Sequence, residues 1–185
     1  MIDQEVSRLQ RVQRDEDLLS EFSAVTHESE ISPQENVLDL LVNRVTFDKQ
    51  KLAQLLGTEV IQSFVTVDFF NHETKHSSLA EGFEPSYQTQ FSFKNAVDDF
   101  YIQYLEKNIM LLEFFVTRAQ NAVRVGSAKV LLGKLLERDS SFQAQEIVAD
   151  GGFTIGKVIY KMRMRKTMDE ALRWYQQKRA LKVTP

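Results

Sequence analysis

The sequence predicts an all-β fold, an antiparallel sandwich of eight strands with one helix inserted before the central strand and another at the C-terminal end. Short segments rich in Val, Ile and Phe recur at the regular spacing of such sandwiches. One of them, Tyr87–Phe93, alternates apolar and polar residues with the period of two expected for a half-buried strand. We find no strand–glycine–helix unit in the sequence, which argues against a nucleotide-binding parallel sheet.

Length and composition narrow the classes of protein further. The chain has 185 residues, 43% of them hydrophobic and 26% charged, which suits one domain with an extension. The absence of cysteine excludes disulfides, thiolate metal sites and a cysteine nucleophile. A net charge of −3 argues against a general nucleic-acid binder. We read no leader peptide, and the longest apolar run, Met110–Phe115, is far too short to span a membrane.

The first part of the chain differs from the rest. Residues 1–35 are poor in apolar side chains, and they are predicted to form a helical, coiled-coil-like extension. Apolar residues recur there at helical spacing: Ile2, Val6, Leu9 and Val12. A terminal tail, a fragment of a longer coiled coil and a self-association segment all remain open for this extension. Residues 36–183 are predicted to form the domain, including its C-terminal helix.

The first half of the domain combines strands with one short helix. Val37–Phe47 is rich in Val and Leu and predicts the first strand. Asp48 is placed to cap a helix over Lys49–Leu56, and Gly57 is placed to end it. Further strands are predicted over Ile61–Phe70, over the polar segment Thr74–Leu79 and over Tyr87–Phe93.

The second half contains the inserted helix and the central strand. Asp98–Lys107 has helical periodicity and ends at Asn108. Ile109–Val116 is apolar at both odd and even positions, which predicts a central strand buried on both faces. The remaining strands are predicted over Val123–Leu132, Phe142–Val148 and Lys157–Arg165. The closing helix, Thr167–Leu181, is predicted to begin with a capping box formed by Thr167 and Glu170.

Three segments resemble, in their order and spacing, the strand signatures of a C2 domain. They are Gly82–Tyr87 followed by Phe91–Phe93, then Val125–Leu131, and finally Gly156–Val158. The first strand begins at Leu38, and a full strand closes the domain, which resembles the type II order of strands. The resemblance therefore implies a type II C2 β-sandwich.

A narrower resemblance lies in Val97–Asn108, because a helix inserted before the central strand is unusual among C2 domains. This helix, with the closing strand and helix between Tyr160 and Tyr175, is similar to the first C2 domain of the RPGR-interacting-protein family. The resemblance covers about residues 37–181. It implies a scaffold at the ciliary basal body and transition zone, located in the cytoplasm, with partners among nephrocystin-type transition-zone proteins.

Many C2 domains bind calcium, which needs six to eight oxygen ligands at one loop tip. The loop after the second strand offers Asn71, His72 and Glu73, and the loop after the central strand contains no acid. That second loop instead carries Arg118 and Arg124, which would repel a divalent cation. We therefore expect calcium-independent behaviour and no cofactor or bound metal.

Two groups of residues are candidates for binding. Lys157, Lys161, Arg163 and Arg165 share one face of the closing strand, spaced about 7 Å apart. That face is either an ordinary solvated one or an anion-binding strip for an acidic partner or phosphoinositide headgroups. The loop tips show few apolar residues that could enter a bilayer, which argues against lipid. The candidate partner contacts are Trp174, Tyr175, Tyr101, Arg118 and Arg124.

The sequence contains no arrangement typical of catalysis, so we expect no enzyme activity. Asp98 and Asp99 begin a helix, where acids act as caps and complement the helix dipole. The function hypothesis is a calcium-independent protein-interaction module of a ciliary scaffold. The alternative is a peripheral membrane adaptor that binds anionic phospholipids through the basic strand.

Overall fold

The computed structural model describes residues 31–136 and 142–183, and strands dominate these ranges. The elements, in chain order, are β1 (Glu35–Phe47), α1 (Lys49–Leu56), β2 (Gln62–Asp68), β3 (Lys75–His76), β4 (Ala80–Glu81), β5 (Ser86–Ala96), α2 (Asp99–Lys107), β6 (Ile109–Arg118), β7 (Asn121–Leu131), β8 (Gln143–Val148), β9 (Thr154–Met164) and α3 (Asp169–Val183). Two short strands, β3 and β4, replace the single polar strand predicted over Thr74–Leu79. Of the predicted extension, only residues 31–35 lie within the described ranges, so the rest of that prediction stays untested.

The strands pair in the order β3-β2-β6-β7-β8-β9-β1-β5, with β4 also paired to β2, and every pair is antiparallel. Strands β7 and β8 meet at one residue pair, Ser127 with Val148. The path therefore divides into a first sheet, β3-β2-β6-β7, and a second sheet, β8-β9-β1-β5. Two such sheets can bury their apolar faces against each other, as a sandwich requires.

Aromatic side chains from both sheets form the centre of the core. Phe114 of β6 and Phe47 of β1 pack edge to face with ring centroids 6.2 Å apart. Tyr87 of β5 also contacts Phe114, and its hydroxyl lies 2.5 Å from the Oγ of Ser63 on β2. Because a buried hydroxyl needs a partner, this hydrogen bond fixes the two sheets in one relative position. Burial also raises the pKa of Tyr87 to about 12.

Side chains connect the two ends of the strand path, β3 and β5. The ammonium group of Lys75 donates to the backbone carbonyl of Ser92 and lies 4.6 Å from the centre of the Phe93 ring. Nearby, the His72 ring nitrogen Nε2 lies 2.8 Å from Oδ1 of Asn95. Burial lowers the pKa of Lys75, as expected for a cation removed from water. This edge of the sandwich is therefore closed by polar contacts, and the sheet is nearly continuous.

The prediction that the β6 strand is buried on both faces is wrong. On β6, buried residues alternate with half-buried ones such as Leu111 and Phe115. The strand buried on both faces is β1, where Leu38 and Leu40 face the core while Asp39 and Leu41 are buried on the other side. An apolar run in the sequence does not show whether the outward face of a strand is buried. The outward residues of β1 are buried, whereas those of β6 are half-buried.

The helices begin and end where local sequence directs them, with one exception. Asp48 accepts a hydrogen bond from the backbone N–H of Lys51 at 3.1 Å and caps α1, which ends at Gly57 in the left-handed conformation. Asp98 caps α2 in the same way, at 2.8 Å from the N–H of Tyr101. Helix α3 begins at Asp169, so the capping box predicted at Thr167 is wrong.

We expect replacement of Gly156 by alanine to destabilise the fold. A Cβ at this position would lie 2.6 Å from the carbonyl oxygen of Thr46 and 3.1 Å from the Cα of Phe47, both backbone atoms of β1. Overpacking of this kind should lower the free energy of unfolding by about 2 kcal/mol, measured by urea denaturation. Gly133→Ala is the control, because its Cβ would meet nothing within 4 Å. Equal stabilities of the two variants would contradict the argument.

Candidate functional site

Helices α2 and α3 lie side by side at one end of the sandwich. The ammonium group of Lys178 on α3 lies 3.3 Å from a carboxylate oxygen of Asp99 on α2. Arg179 and Glu106 form a second pair across the helices at 3.5 Å. Between the helices lies a groove of about 530 Å³. The ion pairs hold the two walls of this groove together, although exposed pairs contribute little stability.

Two large aromatic side chains are exposed in the wall of this groove. Phe100 of α2 is 68% exposed and Trp174 of α3 is 60% exposed, and both line the same groove. Lys178 and Asp99 line the groove with them. A neighbouring pocket on the Phe100 side is lined by Lys107, Arg179 and Lys182 as well as Asp99. Exposed large aromatic side chains are typical of protein interfaces, which enrich Trp, Phe, Tyr and Arg. Trp174 is thus accessible to a partner, and its role as a partner contact stays a prediction.

Tyr101 and Tyr175 require a correction, because the structure buries both. Tyr101 is fully buried and its ring packs against Phe69 and Phe70, while Tyr175 belongs to the core beneath α3. Burial raises the pKa of Tyr101, with a further contribution from Tyr104. Tyr101 has no exposed surface with which to contact a partner. Tyr175 keeps 7% of its surface exposed and lines the pocket beside Lys178, so both tyrosines mainly support the helices from below.

Phe100 was missed by the sequence analysis although it is the more exposed aromatic residue of α2. At about 100° per residue, Phe100 lies about 160° around the helix from Ile102 and about 140° from Leu105, whereas Tyr101 lies beside them. The buried set is Tyr101, Ile102 and Leu105. The signal that could have identified Phe100 is its spacing from Ile102 and Leu105, which places it on the opposite face.

Lys157, Lys161 and Arg163 of β9 point away from the core, and Arg165 follows the strand directly. The two arginines bind a buried carboxylate. Asp39 of β1 is 0% exposed. Its oxygens accept hydrogen bonds from Nε of Arg163 and from Nε and Nη2 of Arg165, all at 2.9 Å. Ser92 of β5 donates to the same carboxylate at 2.6 Å. We name Asp39, Ser92, Arg163 and Arg165 the Asp39 cluster.

This cluster changes the interpretation of the predicted anion-binding strip. Burial raises the pKa of Asp39, and the hydrogen bonds from Arg165, Ser92 and Arg163 more than offset that effect, so the pKa lies below 3.8. A carboxylate held in its charged form balances part of the guanidinium charge. The guanidinium groups of Arg163 and Arg165 already bind an anion, the carboxylate of Asp39. Of the two lysines in the predicted strip, Lys157 is exposed and Lys161 is half-exposed.

The two loops considered for calcium lie at opposite ends of the sandwich, so they cannot form one site. Strand β2 ends at Asp68 beside Leu111, the beginning of β6, whereas the turn at Ala119 follows the far end of β6. Across the described residues, no group of three or more His, Asp or Glu side chains is placed to hold a metal ion.

Arg118 and Arg124 both contact the fold. Arg118 donates to the carbonyl oxygen of Leu56 at the end of α1. Arg124 forms ion pairs with Glu113 at 2.8 Å and with Asp150 at 3.1 Å. These contacts join α1, the β6–β7 turn and the β8–β9 turn at one end of the sandwich. As partner contacts, the two arginines stay predictions, and their guanidinium groups are already engaged.

That same end exposes a small number of apolar side chains, although the sequence predicts few apolar residues at the loop tips. Val60 is 85% exposed, and Leu55 and Phe153 are also exposed. All three lie in α1 or in the loops beside it, at the end of the sandwich where β1 ends and β9 begins. Within the described ranges, no helix is long and apolar enough to cross a membrane.

Residues 28–167 match the family model described as the first C2 domain of RPGR-interacting protein 1. The chain belongs to that family. The predicted family and the predicted C2 β-sandwich are both confirmed.

Solved structures show the C2 fold as well. CC2D1B, described as coordinating ESCRT-III activity during mitotic reformation of the nuclear envelope, superposes with a TM-score of 0.63 at 15% identity. That match covers 89% of this chain and 76% of the chain in that solved structure. A C2 domain of plant extended synaptotagmin 1 gives a TM-score of 0.50 at 15% identity, covering 70% of this chain and 93% of the other. At these identities the likeness concerns the fold alone.

We expect Asp39→Asn to destabilise this RPGR-interacting-protein-family domain in a pH-dependent way. The variant leaves Arg163 and Arg165 without their carboxylate, which should cost about 3 kcal/mol at pH 7. Because the folded-state pKa of Asp39 lies below 3.8, its contribution is complete above that pH and is lost as pH falls through the folded-state pKa. The difference between wild type and variant should therefore shrink in acid.

The measurement is urea denaturation at pH 7 and at pH 3. Asp99→Asn is the matched control, because its pair with Lys178 is half-exposed and its loss should cost less than about 1 kcal/mol. A constant difference between wild type and Asp39→Asn across this pH range would show that the charge of Asp39 does not stabilise the fold.

Proposed function

We propose that this chain is a calcium-independent, non-enzymatic protein-interaction module of a scaffold at the ciliary basal body and transition zone, in the cytoplasm. The observation that carries the proposal is the exposed pair Phe100 and Trp174 in the groove between α2 and α3. Family membership supports the ciliary setting, since the resemblance to RPGR-interacting proteins implies a scaffold of the cilium. Nephrocystin-type transition-zone proteins are the partners that the resemblance implies.

The groove would bind a partner by burying its two aromatic rings. Trp and Tyr dominate the energetics of protein interfaces because they bury a large area at a small cost in conformational entropy. Both rings project from helices whose opposite faces are anchored in the core by Tyr101 and Tyr175. The charges beside the groove are mixed, because Lys178 pairs with Asp99 and Arg179 with Glu106. They favour a partner whose apolar contact is surrounded by complementary charges of both signs.

The end of the sandwich that carries α1, the β6–β7 turn and the β8–β9 turn supports the proposed calcium independence. Asp48, a carboxylate at that end, caps α1, and Asp150 pairs with Arg124. Calcium requires several carboxylate oxygens converging on one point, and the cations Arg118 and Arg124 stand beside that end. A divalent ion would have to displace these contacts before it could bind.

A peripheral membrane adaptor remains the second candidate, and one observation favours it. Val60, Leu55 and Phe153 are exposed at the same end of the sandwich. Apolar side chains at one tip could enter the outer part of a bilayer, while nearby lysines contact anionic headgroups. The tip is better placed for this role than β9, whose Arg163 and Arg165 already bind Asp39.

We expect Trp174→Ala to weaken binding of a nephrocystin-type transition-zone protein by about 30-fold, equivalent to about 2 kcal/mol. Phe100→Ala should weaken it in the same direction. Isothermal titration calorimetry measures the affinity, and proximity labelling in ciliated cells gives the corresponding change in recovered partners. Leu79→Ala is the matched control, because Leu79 is a similarly exposed apolar residue away from both helices. Binding unchanged by the aromatic substitutions would exclude the groove.

We expect the chain to stay in the supernatant in vesicle co-sedimentation, equally with neutral and phosphatidylserine-containing vesicles, and equally in calcium and in chelator. Salt-sensitive recovery with the anionic vesicles would instead favour the membrane adaptor. In that case Val60→Asp and Lys161→Glu distinguish attachment through the tip from attachment through the face of β9, where Lys161 pairs with Leu41 away from the tip. Recovery only in calcium would contradict calcium independence.

A further inference from the structure

The outward face of the first sheet is apolar along its centre. Strand β6 lies inside this sheet, and its outward side chains Leu111 and Phe115 are only half-buried. Phe64 of β2 stacks on Phe115, with the ring centroids 5.2 Å apart and an angle of 8° between the planes. Further along, Leu131 of β7 is 61% exposed and pairs with Ile109. The outward residues of an antiparallel sheet are normally polar, so this apolar row is unusual.

The second sheet of the same sandwich provides the contrast. Its buried strand β1 is flanked by the long polar side chains of Gln90 and Lys94 on β5 and of Lys161 on β9. Between Gln90 and Lys161, the outward side chain of Leu41 is only 8% exposed. Leu111 has the equivalent central position in the first sheet and stays half-buried. A contiguous apolar surface of this kind is typical of an interaction site.

The charges on this face have opposite signs on the two sides of β6. Leu111 pairs with Asp68 of β2 on one side and with Lys129 of β7 on the other. The three outward side chains therefore form one row in which an acid, an apolar residue and a base follow one another. Asp68 is half-buried and accepts a hydrogen bond from the hydroxyl of Thr74. Lys129 is exposed and forms no ion pair with any residue that the structure describes.

A second row on the same face has a related pattern. Phe115 pairs with Phe64 of β2 on one side and with Arg124 of β7 on the other, so a cation again lies on the β7 side. Glu113 stands between the two rows on β6, and its carboxylate lies 2.8 Å from Nε of Arg124. The charge of Glu113 is thus balanced within the chain, and the unbalanced charges are those of the Asp68 row.

A two-fold axis along β6 makes this face complementary to itself. Such an axis turns the second copy over, so that its β2 lies against β7 of the first copy and each row meets the same row. Asp68 of each copy then faces Lys129 of the other. The ring of Phe64 faces Arg124, the arrangement of a cation–π contact. The outward apolar side chains of β6 lie on the axis and meet their own counterparts, as in a sandwich of two sheets about 10 Å apart.

The size of the face predicts a weak dimer. The outward positions of β6 from Ile109 to Thr117 span about 27 Å, and three neighbouring strands are about 15 Å wide. Two such faces bury about 1,000 Å² in total, which is the lower end of the range for specific interfaces. We therefore expect a dissociation constant of about 100 µM.

We propose that two copies of this chain associate face to face through β2, β6 and β7, related by a two-fold axis along β6. Because this axis preserves the direction of the strands, β6 begins at the same end in both copies. Helix α2 ends at Lys107, directly before β6, so the two helix grooves lie at that common end. A partner that carries two binding segments is then bound twice, which raises its overall affinity. The association itself does not rest on the proposed function.

Sedimentation equilibrium of the full chain tests the association. Between about 10 µM and about 1 mM, the mean mass should rise from the 21.4 kDa of one chain toward twice that value. Leu111→Glu should weaken the association about tenfold or more, because it brings two carboxylates together at the axis. Val60→Glu is the matched control, since it introduces the same charge at an exposed apolar residue far from this face. A wild-type chain that stays monomeric, or equal association of Leu111→Glu and wild type, would overturn the proposal.

Charge reversal tests the axis without altering an apolar residue. Asp68→Lys and Lys129→Glu should each weaken self-association by about tenfold, because each variant places like charges opposite one another. An equal mixture of the two variants should associate as well as the wild type. In that mixture the introduced lysine faces the introduced glutamate, and the native Lys129 faces the native Asp68. Thermal unfolding shows that each variant is folded, and a mixture that stays monomeric contradicts the proposed axis.

A thiol cross-link locates the contact. The sequence has no cysteine, so Thr117→Cys places a single thiol on the β6 axis and Lys94→Cys places one on the outward face of the second sheet. A bismaleimide with a span of about 10 Å should join Thr117→Cys chains into covalent dimers and leave Lys94→Cys chains monomeric. Equal or greater cross-linking of Lys94→Cys would place the contact elsewhere and contradict the proposal. Because no partner protein is present in these experiments, their failure is distinguishable from failure of the proposed function.

Discussion

The ion pairing of Asp39 is the interaction on which the rest of this structure depends. Asp39 is a charged residue on β1, the most buried strand of the domain. Its carboxylate has a partner on each neighbouring strand, Arg163 on β9 and Ser92 on β5. A buried carboxylate without such partners would be very costly. The three strands can therefore pair in only one register without leaving the charge unsatisfied, and the second sheet is specified by this requirement.

The cluster also determines where the candidate site lies. Arg165 donates its backbone N–H to Val37, and the side chain of Asn36 bonds both the N–H and the carbonyl of Lys166, at 3.0 and 2.9 Å. The end of β9 is thus fastened to the beginning of β1. Helix α3 follows shortly after β9, with Met168 buried at its start, so Trp174 is positioned by the same contacts.

Local features were predictable from sequence and long-range ones were not. Helix α1 has the predicted bounds, because Asp48 and Gly57 set its ends through contacts with nearby residues of the chain. Asp39 escaped notice because its charge stands inside an apolar run and its partner Arg163 is 124 residues away. Tyr101 was placed on the wrong face because a short helix with many aromatics has apolar residues on most sides, and only packing decides which is buried.

The basic strand β9 and the helix groove differ in what they can offer to a partner. A cation on β9 already interacts with Asp39, so an incoming anion must compete with a partner that is buried, charged and held in place. The rings of Phe100 and Trp174 face water, and covering them releases that water without breaking any contact within the domain. Electrostatic complementarity then contributes selectivity and association rate more than affinity. In the proposed function, the helix groove therefore supplies most of the binding energy, and the surrounding charges contribute selectivity.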